Sequence, residues 1–208
     1  MSKIDFTKKA LADALIELMK KKPLNKISIK DITDACDLNR HTFYYHFKDK
    51  QDLVCWIFDC AAEKNFKFPQ IEEIAQGKQT FFIRKIISYM YENKSFYINA
   101  LNSDTQNSLQ EHLFKYIYRF REIQIKALLR GRKMDPKGIE FLAGYFTYAI
   151  GGLIIQWAKN GMVDPPPTVF YDKCQDVGYQ CISYLLDKYS IPSNPDHLID
   201  ISKKPPHN

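Results

Sequence analysis

The residues with the most distinctive chemical pattern lie between Lys30 and Lys50. Arg40, His41 and Thr42 follow Asn39, whose side chain is suited to capping a helix. A helix starting there presents those three residues at its N-terminal end. That is the end that meets base edges when a helix enters a DNA major groove. A guanidinium donates two hydrogen bonds to guanine O6 and N7, an imidazole donates or accepts, and a threonine reaches a phosphate or a thymine methyl. Tyr44, His46 and Lys50 offer donors to phosphate oxygens, which set register without reading sequence. Lys30, in the preceding helix, can reach a base or a backbone oxygen. Singly, each residue has a plainer reading. Arg40 is a solvated charge, His46 is structural, and Tyr44-Tyr45 caps a core. Their grouping on one short helix after a turn points to double-stranded DNA.

Other elements must hold this helix. Asp5 to Lys21 has Leu11, Leu15, Leu18 and Met19, with Ala10 and Ala14, on one face at helical spacing. Pro23 ends it. Ser28 and Asp31 have capping-box spacing for a helix from Ile29 to Ala35, with Ile32 and Ala35 facing inward. Cys36-Asp37-Leu38 is the turn, with Leu38 filling the gap between helices. Phe43 and Phe47 of the Arg40–His46 helix point inward. Asp49 caps a longer helix from Lys50 to about Phe66. Further helices are expected at Gln79–Tyr91, Ser95–Leu101, Gln106–Arg130, Pro136–Asn160 and Thr168–Tyr189, with a weak one between Pro69 and Gly77. No strand pattern stands out. The fold class expected is all-α, with a three-helix head at 1–50, a larger helical body at 51–190 and a loose tail at 191–208.

The run from Ile32 to Leu53 resembles the N-terminal domain of the TetR family of transcriptional regulators. Ile32, Ala35, Thr42-Phe43-Tyr44, His46-Phe47, Lys50 and Leu53 carry the resemblance. Asp37 stands where the family usually has glycine, and a residue that tolerates a left-handed turn keeps the geometry. His41 stands where a small residue is common. The resemblance implies a helix-turn-helix head with DNA roles for Thr42, Tyr44, His46 and Lys50. It also implies a helical ligand-binding and dimerisation domain from about residue 70. The run Gly152 to Met162 is similar to the branch typified by regulators of dihydroxyacetone kinase operons. Some members of that branch activate, and work with a partner protein that carries the small molecule.

Two long late helices are the best candidates for pairing two copies of the chain. Gly144, Gly151 and Gly152 each lower helix propensity by up to about 1 kcal/mol, which close approach of another helix would explain. That helix belongs either to a second copy or to the same subunit. Aromatic residues are dense, and Tyr89, Tyr116, Phe120, Tyr145 and Trp157 are candidates for a ligand pocket, against the plainer reading of an aromatic core. Cys174 and Cys181 share a helix face, where packing is the simplest role. No P-loop, dinucleotide glycine pattern, GxSxG or HExxH is present, so neither an enzyme nor a bound metal or cofactor is expected.

Composition sets bounds. The 208 residues are 45% hydrophobic and carry a net charge of +6. Residues 1–54 hold 11 Lys/Arg and 8 Asp/Glu, half of the surplus in a quarter of the chain. The five cysteines form no CxxC pair and the first residues lack an apolar signal region, which suggests a cytoplasmic protein. Phe141 to Ala158 is interrupted by Gly, Thr and Gln and reads as a buried helix rather than a membrane span. The function expected is a homodimeric regulator that binds operator DNA and answers to a small molecule or partner protein. The alternative is a co-regulator acting mainly through contacts to a ligand-binding partner protein.

Overall fold

The computed structural model describes residues 3–76, 79–103 and 108–191. Gly77, Gln106 and the tail from residue 192 lie outside them. Among the described residues ten α-helices follow in order: α1 (Lys3–Met19), α2 (Ile29–Asp34), α3 (Arg40–His46), α4 (Lys50–Asn65), α5 (Ile71–Ala75), α6 (Gln79–Glu92), α7 (Lys94–Leu101), α8 (Leu109–Leu129), α9 (Pro136–Lys159) and α10 (Pro167–Tyr189). A single 3-10 turn, Leu24–Lys26, joins α1 to α2. Among the described residues the one β contact is an isolated bridge between Lys133 and Ile191. The fold is all-α.

The head folds as its apolar spacing requires. Leu11, Leu15 and Met19 of α1 pack with Ile32, Phe43 and Phe47, all nearly excluded from water. Ser28 and Asp31 form the expected capping box. The Asp31 N–H donates to Ser28 Oγ at 3.1 Å, and the Ser28 N–H donates to Asp31 Oδ2 at 2.8 Å. Ala35 departs from expectation. It ends α2 and is exposed, while Thr33 takes the buried place. Its hydroxyl donates to the Ile29 or Lys30 carbonyl, at 3.1 Å from each, so the polar group is satisfied without water.

One apolar core runs from α1 through α4, α6, α7, α8 and the second half of α9 into the start of α10. A second cluster joins Ile125, Leu128, Leu142, Phe146, Ile182 and Leu186 at the far ends of α8, α9 and α10. α9 lies along α8. By length and composition it passes for a membrane-crossing helix, but it buries Leu142, Phe146, Ile150 and Ile154 against its neighbours. Gly151 is where that packing is tightest. A Cβ there would sit 2.5 Å from the Phe114 ring of α8, so the close approach is made within one subunit. Gly144 and Gly152 face open space. Gly161, with φ +73°, lies just past the end of α9 in the left-handed conformation that glycine adopts without strain.

Candidate nucleic-acid interface

The turn between α2 and α3 sets the angle of the recognition helix. Asp37 sits at φ +53°, the left-handed conformation expected of the residue in the glycine position. Leu38 is half-buried against the core and its N–H donates to the Thr33 carbonyl at 2.9 Å. Asn39 then caps α3, its Oδ1 accepting from the Thr42 N–H at 2.8 Å and from the Thr42 hydroxyl at 3.0 Å. Asp49 caps α4 by accepting from the N–H groups of Gln51 and Asp52. α3 is thus fixed at its N-terminus by Asn39 and from below by Phe43 and Phe47, while Asp49 fixes the start of the helix that follows.

With the phenylalanines inward, α3 turns Arg40, His41, Tyr44 and Tyr45 to solvent. Tyr44 is 51% exposed and Tyr45 73%. Thr42 and His46 stand half-buried at the edge, and Lys30 is exposed on α2. All seven predicted residues, Lys50 included, therefore retain some exposure on or beside one short helix. Burial, and then the positive charge of Lys8, hold the His46 imidazole below its ordinary pKa. His46 is therefore neutral at neutral pH, a hydrogen-bond donor or acceptor rather than a cation. Tyr45 is the most exposed aromatic of the helix and is a further candidate. Sequence alone could not separate it from Tyr44, because adjacent helical positions differ by about 100° and only the packing says which faces out.

Lys50 is placed differently from the other basic candidates. Its ammonium turns back into the head and donates to the Leu24 carbonyl at 2.7 Å and the Ile27 carbonyl at 2.8 Å. Partial burial lowers its pKa. Two of three donors are thus used to fasten the connector between α1 and α2 onto α4.

A second fastening comes from Asn99 on α7, which sequence reasoning did not single out. Its Oδ1 accepts from the Leu24 N–H at 2.6 Å, and its amide nitrogen lies 3.0 Å from the carbonyls of both Met19 and Lys22. Sequence shows only a lone asparagine some 75 positions away, with no local pattern to mark it. α4 is also tied to α8. His112 Nε2 lies 2.6 Å from Asp59 Oδ1, and the Tyr116 hydroxyl donates to the Phe66 carbonyl at 3.2 Å.

The five aromatic pocket candidates are not gathered around one cavity. Tyr89, Tyr116 and Phe120 belong to a cluster with Phe58, Phe66, Phe68 and Phe82. Trp157 stacks on Phe170 and Tyr91, and its indole N–H donates to the Pro165 carbonyl at 2.9 Å. Tyr145 is 61% exposed on α9, at the rim of a separate cleft.

This head is that of a helix-turn-helix regulator. Residues 11–55 match the family model of bacterial regulatory proteins of the tetR family, and residues 79–177 match a transcriptional regulator C-terminal region of the same family. The chain belongs to the TetR family of transcriptional regulators. In sequence it is similar to the HTH-type dhaKLM operon transcriptional activator DhaS of Lactococcus lactis subsp. lactis (strain IL1403), 28% identical over 102 residues. That alignment takes 47% of this chain and spans about half the length of the curated relative. In fold it is similar to the solved structure of the dihydroxyacetone kinase operon activator DhaS, with a TM-score of 0.65 at 18% identity over 88% of this chain and 98% of that one. It is also similar to NalD, the secondary repressor of the MexAB-OprM multidrug efflux pump in Pseudomonas aeruginosa. There the TM-score is 0.55 at 15% identity, over 85% of this chain and 95% of that one.

Proposed function

We propose that this regulator works as a homodimer whose two heads read two half-sites of one operator, and whose body changes head spacing when it binds a small molecule or partner protein. The observation that carries the proposal is α3 itself. It is a helix capped at its N-terminus by Asn39, with apolar residues inward and Arg40, His41, Tyr44 and Tyr45 outward. In this reading Arg40, His41, Thr42 and Lys30 meet bases. Tyr44 and His46 meet phosphates, joined by Tyr45. Lys50 holds the head in shape and offers its one remaining N–H to the backbone.

Two copies are needed because one head spans only a few base pairs. The outer face of α9 and α10 supports such pairing. Phe141, Tyr145, Tyr148 and Leu153, with Val177 and Tyr184, are each more than half exposed there, beside the open Gly144 and Gly152. Contiguous apolar surface of this kind marks an interaction site. Signal would pass along α4, which carries the head at one end and the His112 and Tyr116 contacts further along. A ligand moves the heads only as far as it binds one spacing better than the other. The likeness to DhaS supports a role at an operon promoter.

Selection of bound DNA from a random pool by the purified protein tests the reading. A palindromic site with half-sites about one helical turn apart, or a multiple of that, is expected. No enrichment, or enrichment only when a second protein is added, would refute it and favour the co-regulator reading.

A further inference from the structure

α8, α9 and α10 enclose a cleft of about 1050 Å³ at the end of the body beyond the aromatic cluster. Its walls are mainly apolar, with Leu142, Phe146, Ile150, Val177 and Leu185 among them, and Lys173 of α10 also belongs to the lining. Arg121 of α8 is part of the same lining, although only 4% of it is exposed. Its Nη1 donates to Gln124 Oε1 at 2.5 Å. Its Nε is buried without a hydrogen-bond partner. None of the ion pairs among the described residues includes Arg121. Gly178 of α10 leaves the guanidinium edge open, since even a Cβ there would lie 3.8 Å from Nη2.

Burial lowers the Arg121 pKa to about 10, so the group keeps its charge at neutral pH. The guanidinium carbon also lies 5.7 Å from the centre of the Phe120 ring, but a buried cation without a counter-ion is still costly, and proteins normally pair it. The one carboxylate in the lining, Asp135, forms no ion pair with it. The missing partner is therefore an anion that arrives from outside, and the apolar walls select what else that molecule carries. The volume is that of a small-molecule site.

We propose that the cleft binds an amphiphilic monocarboxylate, its carboxylate paired with the fork of Arg121 and its hydrocarbon body along α9 and α10. This rests on the regulator reading, since the occupant is its small-molecule effector. A guanidinium meets a carboxylate through two parallel hydrogen bonds, which an alcohol cannot reproduce. Phe141, Tyr145 and Leu153 of α9 and Val177 of α10 line the cleft and also stand on the outer face assigned to pairing. An occupied cleft therefore borders the surface assigned to pairing, which gives the ligand a route to the spacing of the heads.

The test is calorimetric titration of the full-length protein with decanoate, decanol and decyltrimethylammonium, which share a chain and differ in head charge. Decanoate is expected to bind at least tenfold tighter than decanol, and decyltrimethylammonium not to bind. Arg121→Leu should erase the preference for decanoate over decanol while the ligand-free melting temperature holds or rises. A purely structural arginine would instead lower it. Arg121→Lys should keep part of the preference, and Gly178→Leu, filling the cleft beside the guanidinium, should weaken both ligands. Equal affinity for decanoate and decanol overturns the proposal, as does a preference that survives Arg121→Leu. So does an absence of decanoate binding by a dimer, which would mean that a second copy fills the cleft. Binding of the selected DNA by the same preparation is read separately. If it is intact while decanoate is not preferred, the ligand proposal alone fails. If it is lost while decanoate is preferred, the regulator reading fails.

Discussion

At the scale of single residues, charge placement divides the recognition helix from its supports. Arg40 is exposed at the first position of α3, with no described partner to hold it. Arg40→Ala is expected to relax sequence preference at one position of each half-site by about 1–3 kcal/mol, measured by competition among operator variants. Asp31 is a support. The Ser28 N–H first, and then Lys22 at 3.0 Å, hold its carboxylate down to a pKa of about 2 from an ordinary 3.8. The folded pKa is depressed, so the contribution is present above the ordinary value and is lost as pH falls through about 2. Asp31→Asn should lower the denaturation midpoint near neutral pH. Its difference from the unaltered protein should shrink as pH falls from 3.8 toward 2. A constant difference across that range would remove the capping box as its cause.

At the scale of elements, the head is fastened to the body by few polar groups. Asn99 reaches three backbone groups around the end of α1 and the turn at Leu24. Asn99→Ala leaves the Leu24 N–H and two carbonyls to find water, at roughly 1–3 kcal/mol, seen in urea denaturation. Because the clamp joins α7 to the head, the same variant should also weaken the effect of any body ligand on DNA affinity. Lys50→Met keeps the stem and removes the two bonds to Leu24 and Ile27. Loss of stability with an unchanged salt slope of DNA binding identifies a fastener. A slope reduced by about one identifies a phosphate contact.

At the scale of the whole molecule, the glycines of α9 separate packing within a subunit from packing between copies. Gly151→Ala pushes a methyl against Phe114 and should cost about 1–3 kcal/mol of stability, with no change in oligomeric state. Gly152→Ala meets nothing within the subunit, so helix propensity alone would stabilise it by up to about 1 kcal/mol. If a second copy packs there, sedimentation should show a weaker dimer despite the stabler monomer. An unchanged dimer would move the interface away from Gly152.

Much of the head was legible because its determinants are local. Ser28, Asn39 and Asp49 act on groups within three residues, and Leu11, Leu15, Phe43 and Phe47 repeat at the spacing of a helix. The helices of the body were legible for the same reason, and the boundaries moved by a few residues at α8 and, in the head, at α1. Ala35 was misplaced because at the end of a helix the inward direction depends on what the next turn packs against. The pocket candidates Tyr89, Tyr116 and Phe120 share a cluster, while Trp157 and Tyr145 stand elsewhere, since aromatic composition does not say which rings meet.

By itself, then, the sequence determined the ten-helix plan in outline, the turn through Asp37 and the row of side chains on α3, because each depends on residues a few positions apart. Only the tertiary structure decided that Lys50 turns inward, that Asn99 clamps the head, that Gly151 answers to Phe114, and that Arg121 stands buried without a described ion-pair partner beside an apolar cleft. Those outcomes depend on groups dozens of residues apart meeting in a desolvated space. There the cost of an unpaired polar group is large, and no pattern along the chain records it.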